Sequence, residues 1–260
     1  MVAFVLIHLF LMHYATAPSA TGAAFVGGRW RGAGWRAFDW TLLVLALTHG
    51  VVGVQGMLRE VIRRPAVRAA LDVTAAAIAV GFAGVGTVAV MAAPLSHHGG
   101  IAPEYAWIPS VLVGGLVVIA TATYLAVASA GMGIGLRVAR REPIGRWHYP
   151  GQWAFALNRA AGAGILGFLL VHVLDVALFP LAPDLYDQTV RAYSMPYLIP
   201  MEVGLVAAVL YHALDGLRLI ALEILDRRAT AAGGPSFVAV LALTVGLSLP
   251  ALAVLLGWRR

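Results

Sequence analysis

Long apolar runs, separated by short loops that carry arginine, are the feature that most constrains how this chain can fold. A helix needs about 20 apolar residues to cross a bilayer, and charged residues make up only 12% of the 260 positions, against roughly 25% in a soluble domain. The sequence therefore predicts an all-α, polytopic transmembrane helix bundle. Seven candidate spans lie at roughly 1–15, 38–62, 68–93, 107–136, 153–180, 196–225 and 236–257.

The first span is too short to cross a bilayer alone, so we expect that the chain starts inside its first helix or that upstream residues are missing. All 18 basic residues are arginine, and most lie in loops between the apolar runs. Arginine-rich loops remain in the cytoplasm, and here they follow the second, fourth and sixth spans. This pattern predicts a multi-pass protein of the cell membrane, with a cytoplasmic N-terminus, an outer C-terminus and no nucleic-acid partner. Arg29, Arg31 and Arg36 then fall outside, against the rule.

The absence of cysteine limits the cofactors that this chain can hold. It excludes disulfides, iron–sulfur clusters bound by this chain, and thiolate ligation of haem. Any metal or haem must therefore be bound by histidine, methionine or carboxylate side chains.

An internal repeat divides the chain into two similar units. The pattern acid-x9-His-x3-Gly-x6-Glu runs from Asp39 to Glu60 and again from Glu202 to Glu223, at an offset of 163 residues. Two three-helix units in the same orientation need one extra crossing between them, which 107–136 supplies. We expect a first anchor repeat with an incomplete first helix, a linking helix with a basic cytoplasmic loop, and a second repeat related by a pseudo-twofold axis. These parts are 1–93, 94–150 and 151–260.

Four histidines lie within the predicted spans: His8, His49, His172 and His212. An ionisable group inside a bilayer is costly and usually functional, and two imidazoles at one depth can hold a b-type haem from opposite faces. Counting 1.5 Å per residue places His49 and His212 towards the cytoplasmic side and the other two towards the outside. We therefore predict two stacked haems. The alternative is a single haem, with His8 and His172 merely packed.

Other polar residues of the spans can be interpreted in more than one way. Arg159, beside Asn158, and Arg218, six residues after His212, could bind a haem propionate, and Arg159 could instead bind a quinone carbonyl or simply snorkel to the interface. For the remaining polar residues near helix ends, we favour capping or an interfacial position over proton transfer. These residues are His13, Asp175, Glu202 and Asp215.

The residues around these positions resemble a known family. The stretch from Arg29 to Gly50, with Asp39 and His49, resembles the small hydrophobic anchor subunit of succinate dehydrogenases. Three further stretches resemble the cytochrome b subunit of the same complexes: Gly151 to Gly162, His172 to Asp175 and Met201 to Arg218.

This resemblance implies the membrane subunit of a succinate:quinone oxidoreductase, or of the related fumarate reductase, with the two anchors fused and the small one first. Such a subunit performs no dicarboxylate chemistry itself. It holds a flavoprotein subunit and an iron–sulfur subunit at the cytoplasmic face, and electrons from succinate pass through it to a quinone, for which we expect menaquinone. The resemblance also leaves open a trimer of complexes.

The family's functional residues fall on the positions already singled out. Its haem ligands fall on His49 and His212, those of its two-haem branch on His8 and His172, and its quinone-site arginine on Arg159. This sequence departs from the family pattern at Asn158, where a histidine is usual, and at Glu60-Val61, where Asp-Tyr is usual. We therefore expect that the inner quinone site, which the resemblance places at Asn158 and Arg159, is altered, blocked or lost.

Two other functional classes remain open at this point. A haem-free anchor would only dock the soluble subunits. A proton-coupled transporter would use the intramembrane histidines and carboxylates as relays.

Overall fold

The computed structural model describes residues 1–92, 115, 118, 122, 126, 129–135, 137, 150–193, 195–224 and 233–257. Every regular element among these residues is helical. The first part of the chain forms α1 (Val2–Phe10), a π-helix (Leu11–Ala15), a 3-10 turn (Pro18–Ala20), α2 (Ala23–Arg29), α3 (Ala33–Val61) and α4 (Pro65–Ala92). The second part forms α5 (Pro150–Leu181), α6 (Pro183–Tyr193), a 3-10 turn (Pro196–Leu198), α7 (Ile199–Ile224) and α8 (Gly233–Leu255).

Five of these helices, α3, α4, α5, α7 and α8, are long and apolar enough to cross a membrane. The 29 residues of α3 extend over roughly 43 Å, which exceeds the thickness of the hydrocarbon core. Five of the predicted spans and the polytopic bundle are therefore confirmed. Val2–Ala15 forms a shorter apolar helical stretch, and most of the predicted span 107–136 and of the linking segment 94–150 lies outside the described residues.

Proline marks the start of three helices. Pro65, Pro150 and Pro183 are the first residues of α4, α5 and α6, where a missing N–H costs nothing because the first turn has no acceptor for it. This placement explains why α3 and α4 are separate helices joined by a short turn at 62–64 rather than one continuous helix.

The long helices pack as neighbours around α5. Contacts join α3 to α4, α4 to α5, α5 to α7, and α7 to α8. The described part of the segment between α4 and α5 approaches α5 through two glycines four residues apart. A Cβ on Gly131 would lie 2.6 Å from the Cβ of Ala163, and one on Gly135 would lie 2.8 Å from the Cα of Ala156. Small residues at this spacing let two helix backbones pack closely in a membrane.

The bundle has two distinct ends, which we name by their elements. The turn end carries residues 62–64 between α3 and α4, and the α6 end carries α2 and α6. The predicted spans 153–180 and 196–225 leave the residues between them as a loop, but an 11-residue helix forms there. It forms because Leu185 and Thr189, one helical turn apart, are buried against the bundle together with Tyr186.

Candidate functional site: paired histidines

The four intramembrane histidines come together as two pairs. The ring centroids of His8 on α1 and His172 on α5 are 6.2 Å apart, with an interplanar angle of 73°. Those of His49 on α3 and His212 on α7 are 5.9 Å apart, with an angle of 69°. These are the same pairings that the sequence predicts from the repeat and from the depth of the four residues.

The two pairs lie at different levels along the bundle. The ring of His212 lies against Gly162 of α5, whereas His172 lies ten residues further along the same helix. At 1.5 Å per residue the two levels are about 15 Å apart. We call His49 and His212 the turn-end pair, and His8 and His172 the α6-end pair.

In the turn-end pair, the ring of His212 has a backbone partner. Its Nδ1 lies 3.2 Å from the carbonyl oxygen of Asn158. An Nδ1–H donated to that oxygen leaves Nε2 as the electron-pair donor, which is the usual arrangement of a metal-binding histidine. A Cβ on Gly162 would lie only 2.9 Å from Cε1 of the ring. Sequence reasoning does not find Gly162, because a small residue in a spanning helix looks the same whether it faces a ring or another helix.

A fully buried carboxylate lies next to this histidine. Asp215 is 0% exposed. It accepts one hydrogen bond from Nδ2 of Asn158 at 2.9 Å and one from Nε of Arg218 at 2.8 Å. The expectation that Asp215 is a capping or interfacial residue was wrong, since these two donors satisfy its charge inside the protein. The side chains of Asn158 and Arg218 are thus both engaged by Asp215.

Arg159 is paired across the two halves of the chain. Its Nε donates to Oε2 of Glu60 at 3.1 Å, its Nη2 donates to Oε1 of the same carboxylate, and its Cζ lies 3.5 Å from the ring centroid of Phe155. A bidentate ion pair of this kind fixes the orientation of the guanidinium. Glu60 is one of the two positions at which the sequence departs from the family pattern.

The α6-end pair borders a cavity of about 340 Å³. This volume lies within the range of small-molecule binding pockets, and most of the lining side chains are apolar. The polar residues in the lining come from both halves of the chain: His8, His13, Thr21, Arg29, Asp39, His172, Asp175, Tyr186, Thr189, Tyr193 and Glu202.

Asp39 lies beside one histidine of this pair, with 3.8 Å between its Oδ1 and Nδ1 of His8. The carboxylate accepts two hydrogen bonds from Arg29, at 3.0 and 2.9 Å, and one from Nε1 of Trp30 at 2.8 Å. Sequence reasoning treated Arg29 only as an exception to the positive-inside rule. The structure shows that it neutralises a partly buried carboxylate, and no sequence signal could have shown that contact.

Four buried polar atoms of the cavity residues have no hydrogen-bond partner in the part of the chain that the structure describes. They are Nδ1 of His8, Nδ1 of His13, Oδ1 of Asp175 and Oε2 of Glu202. The solvated interfacial positions expected for Asp175 and Glu202 were therefore wrong, since both are buried. Asp175 and Glu202 are 5% and 8% exposed. Because buried polar groups are normally paired, these atoms indicate a cavity that takes up a polar guest or water.

The donor set at each pair fits a haem. A protein-only metal site of the zinc type uses three or four side-chain ligands, and within the described residues no group of three or more His, Cys, Asp or Glu is placed to hold a metal ion. A haem iron needs only two axial ligands from the protein. Two metal–nitrogen bonds of about 2 Å each, plus the radii of two imidazole rings, give roughly the separation of about 6 Å between the rings of each pair.

Comparison with known proteins finds a family match in the second half of the chain. Residues 137–249 match the family model described as the succinate dehydrogenase/fumarate reductase transmembrane subunit. The match includes His172 and His212 with Asn158, Arg159 and Arg218, while His8 and His49 lie outside it.

Two curated relatives show a similar relationship. The chain is 46% identical over 74 residues to the succinate dehydrogenase 2 membrane subunit SdhC of Mycobacterium tuberculosis, covering 28% of this chain and 54% of the relative. It is 29% identical over 84 residues to the succinate dehydrogenase hydrophobic membrane anchor subunit of Halobacterium salinarum, covering 31% of this chain and 65% of the relative. The chain thus spans less than two thirds of the length of either relative. No solved structure matches it.

Proposed function

We propose, from the family match of residues 137–249, that this chain is a haem b-binding membrane anchor of succinate:quinone oxidoreductase or of the related fumarate reductase. In this role it would pass electrons between a cytoplasmic flavoprotein and iron–sulfur dimer and a membrane quinone. The single observation that carries the cofactor part of the proposal is the formation of two histidine pairs, about 15 Å apart along the bundle.

The paired histidines would be the axial ligands of two haems. His49 and His212 would hold one haem, and His8 and His172 the other. When bound, haem supplies one-electron redox chemistry at iron. The chain's own contribution is to orient the ligands: the Asn158 carbonyl holds the ring of His212, and Asp39 places a carboxylate beside the ring of His8.

The turn end would be the side on which quinone meets the electron path. Arg159 uses two of its nitrogens on Glu60, and the planar guanidinium has five N–H donors, so donors remain for a quinone carbonyl. The side-chain amide of Asn158 donates to Asp215. Asn158 would therefore contribute to the quinone site through its position next to Arg159. Menaquinone is the expected quinone.

The remaining features of the proposal concern assembly. The exposed Arg63 and Arg64 follow α3 at the turn end, which by the positive-inside rule faces the cytoplasm. The flavoprotein and iron–sulfur subunits would dock at this face, while the α6 end would face outwards. The chain would comprise an anchor repeat at 1–93, a linking crossing at 94–150 and a cytochrome b repeat at 151–260, in a complex that can associate as a trimer.

A reduced-minus-oxidised spectrum of the purified complex, with haem quantified as the pyridine haemochrome, tests this proposal. We expect two b haems per chain. One haem would overturn the ligand assignment for one pair, which single histidine substitutions would identify. A complex without haem would overturn the cytochrome function and leave a bare anchor or a proton-coupled transporter.

A further inference from the structure

A long-range hydrogen bond ties the two halves of the chain together at the α6 end. Oδ1 of Asp187 on α6 accepts from the backbone N–H of Ala23, the first residue of α2, at 2.6 Å. The two residues are 164 positions apart in sequence. Ala23 is 4% exposed, so its N–H would lose a partner in a buried place if the Asp187 carboxylate were removed.

The residues on either side of Ala23 and Asp187 reinforce this contact. A Cβ on Gly22 would lie 2.6 Å from the same carboxylate oxygen, so only glycine allows this close approach. The hydroxyl of Tyr186 donates to the carbonyl of Thr21 at 3.2 Å. Burial, together with the charges of Asp175 and Asp187, raises the pKa of Tyr186, so this hydroxyl remains a proton donor at all physiological pH values.

The other end of α2 reaches the candidate cofactor site. Arg29 is the last residue of α2 and binds both oxygens of Asp39. Trp30 follows it, donates to the same carboxylate and packs edge-on against Phe179 at 5.7 Å between ring centroids. A helix of seven residues is too short to be stable alone in water. The position of α2 therefore depends on its contacts with the rest of the protein, which are the hydrogen bonds at its two ends and the packing of Val26 against the buried cluster that contains Phe179.

We propose that Asp187 is a positioning residue for the cofactor of the α6-end pair. By holding Gly22 and Ala23 it keeps α2 in the cavity wall and keeps Arg29 on Asp39, beside His8. This inference rests on the proposed function, because it assumes a haem between His8 and His172. Without the Asp187 contact, Arg29 leaves Asp39 and water enters the cavity. Both changes favour the more positive, oxidised state of a haem at that place.

The first test follows α2 itself and does not depend on haem. Hydrogen–deuterium exchange of the complete complex would compare wild type with Asp187→Ala, Asp187→Asn and the neighbouring control Gln188→Ala. In Asp187→Ala we expect the backbone amides of residues 22–30 to exchange at least about tenfold faster than in wild type, because a charge-assisted hydrogen bond is lost. Asp187→Asn keeps an acceptor oxygen and should exchange more like wild type, and Gln188→Ala should match wild type. Unchanged exchange in Asp187→Ala would overturn the proposal.

The second test is a potentiometric titration of both haems in the same variants. We expect Asp187→Ala to lower the midpoint potential of the α6-end haem and to leave that of the turn-end haem unchanged. Gly22→Ala, which crowds the same oxygen, should reproduce this shift if Asp187→Ala does not assemble. Faster exchange with an unchanged potential in a two-haem complex would overturn the positioning role alone. A wild-type complex without a haem at the α6-end pair would overturn that part of the proposed function and the positioning role with it.

Discussion

The two histidine pairs have nearly the same ring separation, but they lie in different surroundings. At the turn end, His212 is held by a backbone carbonyl, and the nearby carboxylate of Asp215 is bound by two donors. At the α6 end, Asp39 is equally well bound by Arg29 and Trp30, but the nearby Asp175 and Glu202 each keep one buried oxygen without a partner in the described chain.

This difference in hydrogen bonding indicates that the two ends of the bundle have different roles. Beside the turn-end pair, Asp215, Asn158 and Arg218 satisfy one another and a backbone carbonyl holds the ring of His212, so that side of the pair is preorganised. The α6-end pair borders a cavity of about 340 Å³, and the polar atoms of this cavity are incompletely paired. The hydrogen bonding at that end therefore depends on what fills the cavity. If both pairs hold haem, the comparison predicts two haems that respond to different mutations and have different potentials.

The largest expected effect is the loss of one haem at a time. His212→Ala should remove only the turn-end haem, and His172→Ala only the α6-end haem, because each haem needs both of its axial ligands. The haem content per chain, measured as pyridine haemochrome, should fall by half in each variant. A variant that keeps its full haem content would refute the ligand assignment of the substituted residue.

The next largest effect concerns stability at the turn end. Asp215→Ala leaves the buried Arg218 without its partner and removes the acceptor for Asn158, so we expect a loss of about 3–5 kcal/mol of unfolding free energy. Denaturant unfolding in detergent micelles measures this loss. Glu223→Ala, at an exposed position of the same helix, is the matched control and should change stability by less than about 0.5 kcal/mol. Equal effects in the two variants would contradict the buried network.

A smaller effect is expected on the potential of the α6-end haem. Asp39→Asn removes a negative charge beside His8 and leaves the positive charge of Arg29, and both changes disfavour the oxidised haem. The midpoint potential should rise by about 60 mV, which corresponds to a tenfold change in a one-electron equilibrium. Redox titration measures it, and the turn-end haem serves as the internal reference. A fall in potential, or an equal rise in both haems, would contradict the placement of Asp39.

The smallest effect is expected from Gly162→Ala. Its Cβ would lie 2.9 Å from Cε1 of His212, so the ring must move by a few tenths of an ångström. We expect a shift of the low-spin electron paramagnetic resonance signal of the turn-end haem, without loss of the haem. Gly216→Ala is the control, because no heavy atom lies within 4 Å of its added Cβ. Identical spectra for the two variants would show that Gly162 does not constrain the ring.

The sequence predicted much of this site because its main features repeat at a constant offset. The pairing of His49 with His212 follows from the matched pattern around them, and that of His8 with His172 from their shared depth towards the outer side. The roles of the surrounding polar residues were harder to predict. Asp215 seemed an interfacial residue because nothing in the sequence places Asn158, which is 57 residues away, within reach of its carboxylate.

Other misses have the same origin. The segment that contains Asp187 was predicted as a loop, although Pro183 and the helical spacing of Leu185 and Thr189 are sequence signals that could have indicated α6. Arg29 was a charge on the unexpected side of the membrane until its contact with Asp39 was known. In both cases the sequence shows only a local pattern, whereas the role of the residue depends on a contact with a distant part of the chain.

What the sequence alone determined is the membrane bundle and the two levels along its helices at which the histidines lie. The bilayer imposes the length of each apolar run, and the helical rise converts position along the chain into depth. What only the tertiary structure decided is which charges neutralise each other: Glu60 with Arg159, Asp39 with Arg29, and Asp187 with the start of α2. Burial of a charge is tolerated only when a partner lies at hydrogen-bonding distance, and that distance depends on how separate helices pack.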